Sequence, residues 1–270
     1  KPGYLPSFDV AGIKWQSNVE ENPANGLPNN IGLVTLTNPN DGSPRAVMDC
    51  SWITALRTPA AAMVALKYLK PADPRSACIV GLGLQGRCHF DALLETKLVP
   101  ELETLKVFDL RPEAIDAFAD FVRSKSDVNV VKARDPEQAV RDTDVIISCT
   151  QFKKNSDPQI VPEWVKPGSL ALPADVGSYW TPQGRDVMNK IYTDDIAQTV
   201  SFADYGFFQG QPVRLDAEIG EVVTGAIEGR TSASDRLMCI NAGLSLYDIA
   251  LAQRVYERAK EAGVGTWLEW

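Results

Sequence analysis

Three glycines stand at the junction of two contrasting patterns, in the run Gly81-Leu82-Gly83-Leu84-Gln85-Gly86. The residues before the run, 77–80, are continuously apolar, as in a strand that is buried on both faces. The residues after it follow a helical pattern to about position 96. Glycines at this spacing permit a tight turn from a strand into a helix that packs closely on it. The run therefore predicts the first strand–turn–helix unit of a parallel sheet.

The alternation of strand and helix continues through the middle of the chain. Strand-like runs cover 77–80, 104–108, 128–132 and 144–149, and helical patterns cover about 85–96, 112–124 and 136–141. Two further short strand candidates lie at 170–172 and 191–192. Strands that alternate with helices in this way form a parallel sheet with helices on both faces. We predict an α/β fold built on a Rossmann-type, doubly wound sheet.

The residues on either side of this region have different patterns. A β-like pattern covers 10–45, and a helix rich in alanine, leucine and methionine follows at about 51–69. After Val200 the pattern is helical, with main segments at 217–228 and 234–262. The chain ends are thus predicted to contribute elements of a different kind from those of the middle.

The glycine run has the parts that a dinucleotide-binding turn requires. Gly81 permits the turn, Gly83 lets the backbone approach a pyrophosphate, and Gly86 lets the helix pack close to the sheet. Leu84 and Gln85 lie where the helix begins, and the amides of a helix N-terminus favour phosphate charge. We predict a binding site for a nicotinamide dinucleotide, with these five residues in contact with it.

Two side chains after the next strand bear on which dinucleotide binds. Asp109 stands 23 residues after Gly86, where a carboxylate accepts hydrogen bonds from ribose hydroxyls. Its charge repels a 2′-phosphate and favours NAD, whereas Arg111 attracts one and keeps NADP possible. Thr150, after the strand 144–149, is a further candidate cofactor contact, and the alternative is a strand-end threonine bonded to backbone.

Composition narrows the classes of protein that the chain can belong to. The net charge is −8, and no basic stripe is present, so we expect no nucleic-acid partner. The five cysteines are scattered without a C-x-x-C pair, which indicates reduced thiols in a cytoplasmic protein. With one histidine and no ligand cluster we expect no metal site, and without a long apolar run we expect no membrane partner.

The chain opens on Lys1 without a signal peptide or initiator methionine, and we expect residues upstream of it.

Several motifs in a fixed order resemble one known family. They are Gly12-Ile13-Lys14-Trp15, Thr54-Ala55-Leu56-Arg57-Thr58, the glycine run with Arg87, Ala242-Gly243-Leu244 and Gly263-Val264-Gly265-Thr266-Trp267-Leu268. Over essentially the whole chain the sequence resembles the ornithine cyclodeaminase/μ-crystallin family. That family includes ornithine and lysine cyclodeaminases, archaeal-type alanine dehydrogenases, and ketimine or pyrroline-2-carboxylate reductases. The motifs are specific for the family and not for one of its reactions.

The resemblance implies both an organisation and an activity. It implies a Rossmann domain, 74–200, inserted in an α+β substrate-binding and dimerisation domain made of 1–73 and 201–270, in a homodimer. It implies an NAD(P)-dependent enzyme that transfers a hydride at the α-carbon of a small L-amino acid or its cyclic imine. The alternatives are an alanine-type amino-acid dehydrogenase and a μ-crystallin-like protein that binds the cofactor and a small ligand.

The resemblance also implies roles for two cations. Lys14 matches the family's active-site lysine, and Arg57 matches the arginine that binds the substrate carboxylate. A guanidinium offers a planar fork to a carboxylate, and a desolvated lysine can exchange a proton with the substrate nitrogen. Residue type alone favours an alternative for each. Lys14 would then face outward from its strand, on the face opposite to Ile13 and Trp15, and Arg57 would be a cation on the surface of a helix.

A third position of the family's pattern is ambiguous. The cyclodeaminases carry a catalytic aspartate after a late strand, where this chain reads Ala174-Asp175-Val176-Gly177. Alignment without gaps places Gly177 at that position, and a two-residue gap places Asp175 there. We take Asp175 as the candidate acid/base, and its departure from the pattern weighs against ornithine cyclodeamination. The single histidine, His89, lies on the first Rossmann helix, and we expect a structural or surface role for it.

Overall fold

A computed structural model describes residues 1–19, 21–151 and 156–269 of the chain. Its strands are β1 (Pro2–Leu5), β2 (Val10–Asn18), β3 (Asn30–Thr37), β4 (Pro44–Asp49), β5 (Ser76–Val80), β6 (Thr104–Phe108), β7 (Asn129–Lys132), β8 (Val145–Ser148), β9 (Leu170–Pro173), β10 (Lys190–Thr193), β11 (Ala217–Glu218) and β12 (Leu237–Ile240). Its α-helices are α1 (Ser51–Leu69), α2 (Leu84–Thr96), α3 (Pro112–Arg123), α4 (Pro136–Val140), α5 (Pro182–Asp186), α6 (Ile196–Asp204), α7 (Ile219–Val223) and α8 (Ser245–Glu261).

The described chain divides into two compact units. The first consists of Lys1–Arg57 together with the residues from Gly243 onward, and the second of Thr58–Ala242. The second unit therefore includes 58–73 and 201–242, which the family resemblance groups with the chain ends. The reason lies in packing, because Leu66 and Leu69 of α1 and Leu237 of β12 are buried in the core of the second unit.

The first unit is an antiparallel sheet with a helix on one face. The strand order is β1-β2-β3-β4, and α8 packs against β1, β2 and β3. Its core combines Val34 and Leu36 of β3 with Ile53 of α1 and with Ile249 and Ala252 of α8. Side chains alternate along a strand, and those that point to the opposite face of the sheet include the exposed apolar residues Trp15 and Leu33.

The second unit is a parallel sheet with the order β11-β10-β12-β9-β8-β5-β6-β7. From β7 to β9 this is the doubly wound order, and the direction of winding reverses between β5 and β8. Both faces are covered, since Ile147 lies in one hydrophobic core and its neighbour Ile146 in another. The predicted α/β fold with a Rossmann-type sheet is confirmed.

Two predictions for the C-terminal third were wrong. The segment 234–262 was predicted to be helical, but Leu237–Ile240 forms the fully buried strand β12 between β9 and β10. A four-residue apolar run has no periodicity that separates a buried strand from a buried helix. The segment 217–228 contains only the two-residue strand β11 and the five-residue helix α7.

No helix within the described ranges combines the length and the apolar character that crossing a lipid bilayer would require.

Candidate functional site

The turn after β5 has a shape that only glycine fits. Gly81 has a φ of +88°, and its amide donates to the carbonyl of Phe108 at 2.9 Å. A Cβ at this position would lie 2.5 Å from the carbonyl oxygen of Cys149. A Cβ on Gly86 would overlap the carbonyl oxygen of Gly81, so helix α2 sits directly on the turn. Both glycines are therefore required by close backbone approach.

The outer side of the same turn is open. Gly83 is the N-cap of the 13-residue helix α2, and a Cβ there would meet nothing within 4 Å. Gly83 and Leu84 are exposed, whereas Gln85 is half-buried. A pyrophosphate can therefore approach the backbone at Gly83 and the N-terminal amides of α2, which favour negative charge. The residues present fit a dinucleotide.

Asp109 links the end of β6 to this turn. One carboxylate oxygen accepts from the amide of Leu82 at 2.9 Å, and the other accepts from the amide of Arg111 at 3.1 Å and from its Nε at 3.3 Å. Partial burial opposes ionisation, but these hydrogen bonds outweigh it and hold the pKa of Asp109 below its ordinary value. The structure thus presents a charged carboxylate beside the glycine turn, with the Arg111 side chain folded against it.

Asp175 and Thr150 contact each other at the carboxyl ends of β9 and β8. The hydroxyl of Thr150 donates to one oxygen of Asp175 at 2.7 Å, while Ser148 and the Gly177 amide donate to the other at 3.0 and 3.1 Å. Asp175 is only 1% exposed, and burial raises the pKa of its carboxyl to about 6 against these hydrogen bonds. Its oxygens are therefore engaged inside the second unit, and Gly177 belongs to the same turn.

Lys14 points to the buried face of the first sheet. It is 6% exposed, whereas its neighbours Ile13 and Trp15 are 43% and 78% exposed. It lies opposite Val34 of β3, which belongs to the core beneath α8. The outward-facing alternative for Lys14 is wrong, because the two apolar neighbours occupy the outer face instead.

A carboxylate from the C-terminal helix joins the two predicted cations. The Lys14 Nζ donates to Asp248 Oδ1 at 2.8 Å, and the Nε of Arg57 lies 3.2 Å from the same oxygen. Nζ also donates to the hydroxyl of Thr54 at 3.2 Å, and that hydroxyl donates to Gln16 at 3.0 Å. An ammonium has three donors, and the described residues supply acceptors for two of those on Lys14. The structure thus brings Lys14 and Arg57 together. One N–H of the Lys14 ammonium has no acceptor among the described residues.

The surroundings of Lys14 change its proton affinity. Burial lowers the pKa of Lys14, the charge of Arg57 lowers it further, and the ion pair with Asp248 raises it in part. A lysine with a lowered pKa exchanges protons more readily near neutral pH than an exposed one. The arrangement can therefore bind an anion at Arg57 and exchange a proton at Lys14.

Gly243 lies directly beside the Arg57 guanidinium. A Cβ at Gly243 would overlap that guanidinium, and the residue has a φ of +84°, which disfavours side chains. The absence of a side chain at Gly243 therefore leaves the space that Arg57 occupies.

No motif in the sequence indicates Asp248 as a residue of the site. Asp248 occupies the first turn of α8 and is buried with Ile249, Ala252 and Gln253 of the same helix. An acidic residue within the buried stripe of a helix is the available signal, because a buried carboxylate requires a charged partner. The sequence does not reveal that partner, since Lys14 lies 234 residues away.

His89 is a buried structural residue. Its Nδ1 donates to the carbonyl of Gln85 at 2.8 Å, one turn earlier in α2. Burial lowers the pKa of His89 to about 4, so the ring is neutral at physiological pH. Within 1–19, 21–151 and 156–269, no three His, Cys, Asp or Glu side chains are grouped as ligands for a metal ion.

Comparison with known proteins gives consistent matches over nearly the whole chain. The model of the ornithine cyclodeaminase/mu-crystallin family matches residues 1–263. The nodulation efficiency protein NfeD of Rhizobium meliloti is 34% identical over 269 residues, which are 98% of this chain and 81% of that protein. The structure of the Thermococcus litoralis Delta(1)-pyrroline-2-carboxylate reductase with NADH and L-proline matches with a TM-score of 0.83 and 27% identity, over 99% of this chain and 83% of that one. An archaeal alanine dehydrogenase dimer with bound NAD gives a TM-score of 0.86 and 29% identity, over 100% and 83% of the two chains.

Proposed function

Because the chain belongs to the ornithine cyclodeaminase/mu-crystallin family, we propose that it is an NAD-dependent enzyme acting at the α-carbon of a small cyclic imino acid or L-amino acid. One observation carries the proposal. The buried Lys14 and the half-buried Arg57 share Asp248, in a chain that also has an open dinucleotide-binding turn. The similarity to a pyrroline-2-carboxylate reductase that binds NADH and L-proline supports a cyclic imine as the preferred substrate class.

The proposed cofactor site consists of the glycine turn and Asp109. Gly83 and the amides that begin α2 hold the pyrophosphate, and the Asp109 carboxylate accepts hydrogen bonds from the ribose. Bound NADH supplies the hydride for reduction of an imine. Arg111 is held by Asp109, which supports NAD over NADP because the guanidinium is already paired.

The proposed substrate site consists of Arg57 and Lys14. Arg57 binds the substrate carboxylate through its terminal nitrogens, since planar guanidinium and carboxylate groups pair well. Lys14 gives a proton to the substrate nitrogen through the N–H that has no acceptor among the described residues. Lys14 is buried and Arg57 is half-buried, and this partial removal from water strengthens their interactions with the substrate.

The position of Asp175 supports net reduction or oxidation over cyclodeamination. Ring closure requires a group that exchanges a proton with the side-chain amine of the substrate. Asp175 is the candidate for that role, but its two oxygens are engaged by Ser148, Thr150 and Gly177. Hydride transfer to an imine does not need a second acid/base of this kind.

The first test is oxidation of NADH and NADPH by the full chain with pyrroline-2-carboxylate and piperideine-2-carboxylate. We expect turnover with NADH that depends on the imine. Net NADH formation from alanine would instead identify an amino-acid dehydrogenase, and proline formation from ornithine a cyclodeaminase. Cofactor binding without any of these reactions would rule out the proposed activity and leave a binding protein.

Removal of the Asp109 charge is expected to reverse the preference between the cofactors. In Asp109→Asn the amide oxygen can still accept from Leu82, but the repulsion of a 2′-phosphate is lost. Because a hydrogen bond to a charged group contributes about 1.5–3 kcal/mol, we expect the KM for NADH to rise about 10- to 100-fold while that for NADPH falls. Asp116→Asn, on the exposed face of α3, is the control. An unchanged ratio of the two KM values would remove Asp109 from the ribose site.

We also propose that the chain acts as a homodimer through the outer face of the first sheet. The register places Tyr4, Ile13, Trp15, Leu33 and Val47 on this face, and all five are exposed. A cluster of exposed apolar side chains on one face of a sheet indicates an interaction surface. A second copy of the chain is the proposed occupant, in keeping with the dimeric state of the similar archaeal alanine dehydrogenase.

Replacement of Trp15 tests this surface. Trp15→Glu places a charge on the apolar face, and burial of an unpaired charge in an interface is strongly unfavourable. We expect wild-type protein at the mass of two chains and the variant at the mass of one, measured by light scattering during size-exclusion chromatography. The control is Leu110→Glu, which introduces the same charge at an exposed apolar residue of the second unit, and this variant should remain dimeric. A dimeric Trp15→Glu protein would exclude this face as the interface.

A further inference from the structure

Asp248 is the point at which the two proposed substrate-binding cations meet. Its side chain is 1% exposed, and its Oδ1 lies within ion-pair distance of both Lys14 Nζ and Arg57 Nε. The second oxygen, Oδ2, is buried and has no hydrogen-bond partner among the described residues. A single carboxylate oxygen therefore serves two cations that come from different elements, β2 and α1.

The charges in this cluster explain why a carboxylate is needed. The buried Lys14 and the half-buried Arg57 repel each other and lose hydration, and an anion that both cations share offsets both effects. Asp248 lies in the first turn of α8, where the helix dipole favours a negative charge. The first turn of α8 thus places the carboxylate next to both cations.

We propose that Asp248 is the positioning residue of the substrate site: it holds Lys14 and Arg57 in one arrangement and leaves their remaining donors for the substrate. This inference rests on the proposed function, because that function assigns the two cations their roles. Asp248 itself neither gives nor takes the proton of the reaction. It acts on the substrate only through Lys14 and Arg57.

The arrangement has a consequence for the pH dependence of imine reduction. Lys14 must be protonated to give a proton to the nitrogen, so activity falls as pH rises through its pKa. The titratable and charged groups that act on Lys14 are Arg57, Asp248 and Cys50. Asp248 raises the pKa of Lys14 and Arg57 lowers it, so loss of the Asp248 charge leaves the lowering influences unopposed. The alkaline limb of the pH profile must then move to lower pH.

The test compares Asp248→Asn with Asp248→Glu in the full chain. Asparagine keeps the shape and one acceptor oxygen but loses the charge, so we expect kcat/KM to fall about 10- to 100-fold. The KM for the imine should rise, the alkaline limb should move to lower pH, and the affinity for NADH should stay at the wild-type value. Glutamate keeps the charge and should keep the limb near its wild-type position with a raised KM. Glu257→Gln makes the same charge change on the same helix at a more exposed site. This control should leave kcat/KM, the KM for the imine and the alkaline limb of the pH profile unchanged.

A second measurement works without turnover. The ε-carbon signal of Lys14 in protein labelled with [ε-¹³C]lysine, assigned with Lys14→Met, reports its titration directly. We expect this signal to titrate at lower pH in Asp248→Asn than in the wild type. If the wild type reduces no imine, the proposed function fails while this titration still decides the role of Asp248. An unchanged titration and an unchanged pH limb in Asp248→Asn would overturn the proposal. If that variant does not fold, an unchanged KM in Asp248→Glu would overturn it as well.

Discussion

Lys14→Met is expected to lower the kcat for imine reduction by about 100- to 10,000-fold at neutral pH, the range that a positioned proton donor contributes. Methionine keeps an unbranched side chain in the buried space beneath α8 but cannot give a proton to the substrate nitrogen. Arg57 remains as the partner of Asp248, so the carboxylate is not left without a counter-charge. Steady-state rates with saturating NADH and imine measure the effect.

The binding properties of this variant separate a catalytic role from a structural one. Affinity for NADH should be unchanged, because the glycine turn and Asp109 belong to the second unit. Lys67→Met, which removes an exposed lysine from α1, should retain the wild-type kcat. A loss of less than about threefold in Lys14→Met would show that the proton comes from another group.

The parts of the fold that could be predicted from sequence are those that local chemistry determines. The turn at Gly81 requires a positive φ and close backbone approach, and three glycines between a buried strand and a helix indicate this directly. The strand β12 could not be predicted, because its four apolar residues gain their conformation from pairing with β9 and β10. A short run of apolar residues is equally compatible with a buried helix and with a buried strand, so the sequence pattern does not distinguish the two.

The candidate site shows the same division between local and long-range information. The polarity of Ile13, Lys14 and Trp15 suggests that lysine faces solvent, yet the sheet turns the lysine inward. The burial of Lys14 is explained by its ion pair with Asp248, which packing brings close from the other end of the chain. A buried ion pair is a property of two positions at once. A pattern in either segment alone does not contain it.

Gly81→Ala is expected to destabilise the second unit by about 2–5 kcal/mol. The left-handed backbone costs an alanine about 1–2 kcal/mol, and the overlap of its Cβ with the carbonyl of Cys149 adds about 1–3 kcal/mol. In a unit of this size such a loss lowers the Tm by roughly 4–20 °C. Thermal unfolding followed by circular dichroism, without cofactor, measures the change.

The matched variant Gly83→Ala separates the stability of the turn from its proposed contact with the cofactor. Gly83 has an ordinary negative φ, and a Cβ there meets nothing within 4 Å, so its Tm without cofactor should stay close to that of the wild type. The added methyl group would instead occupy the open side where the pyrophosphate must approach. An overlap that costs about 1–3 kcal/mol weakens NADH binding about 10- to 100-fold. Wild-type NADH affinity in Gly83→Ala would place the pyrophosphate elsewhere, and an equal loss of stability in both variants would mean that the two glycines serve only the turn.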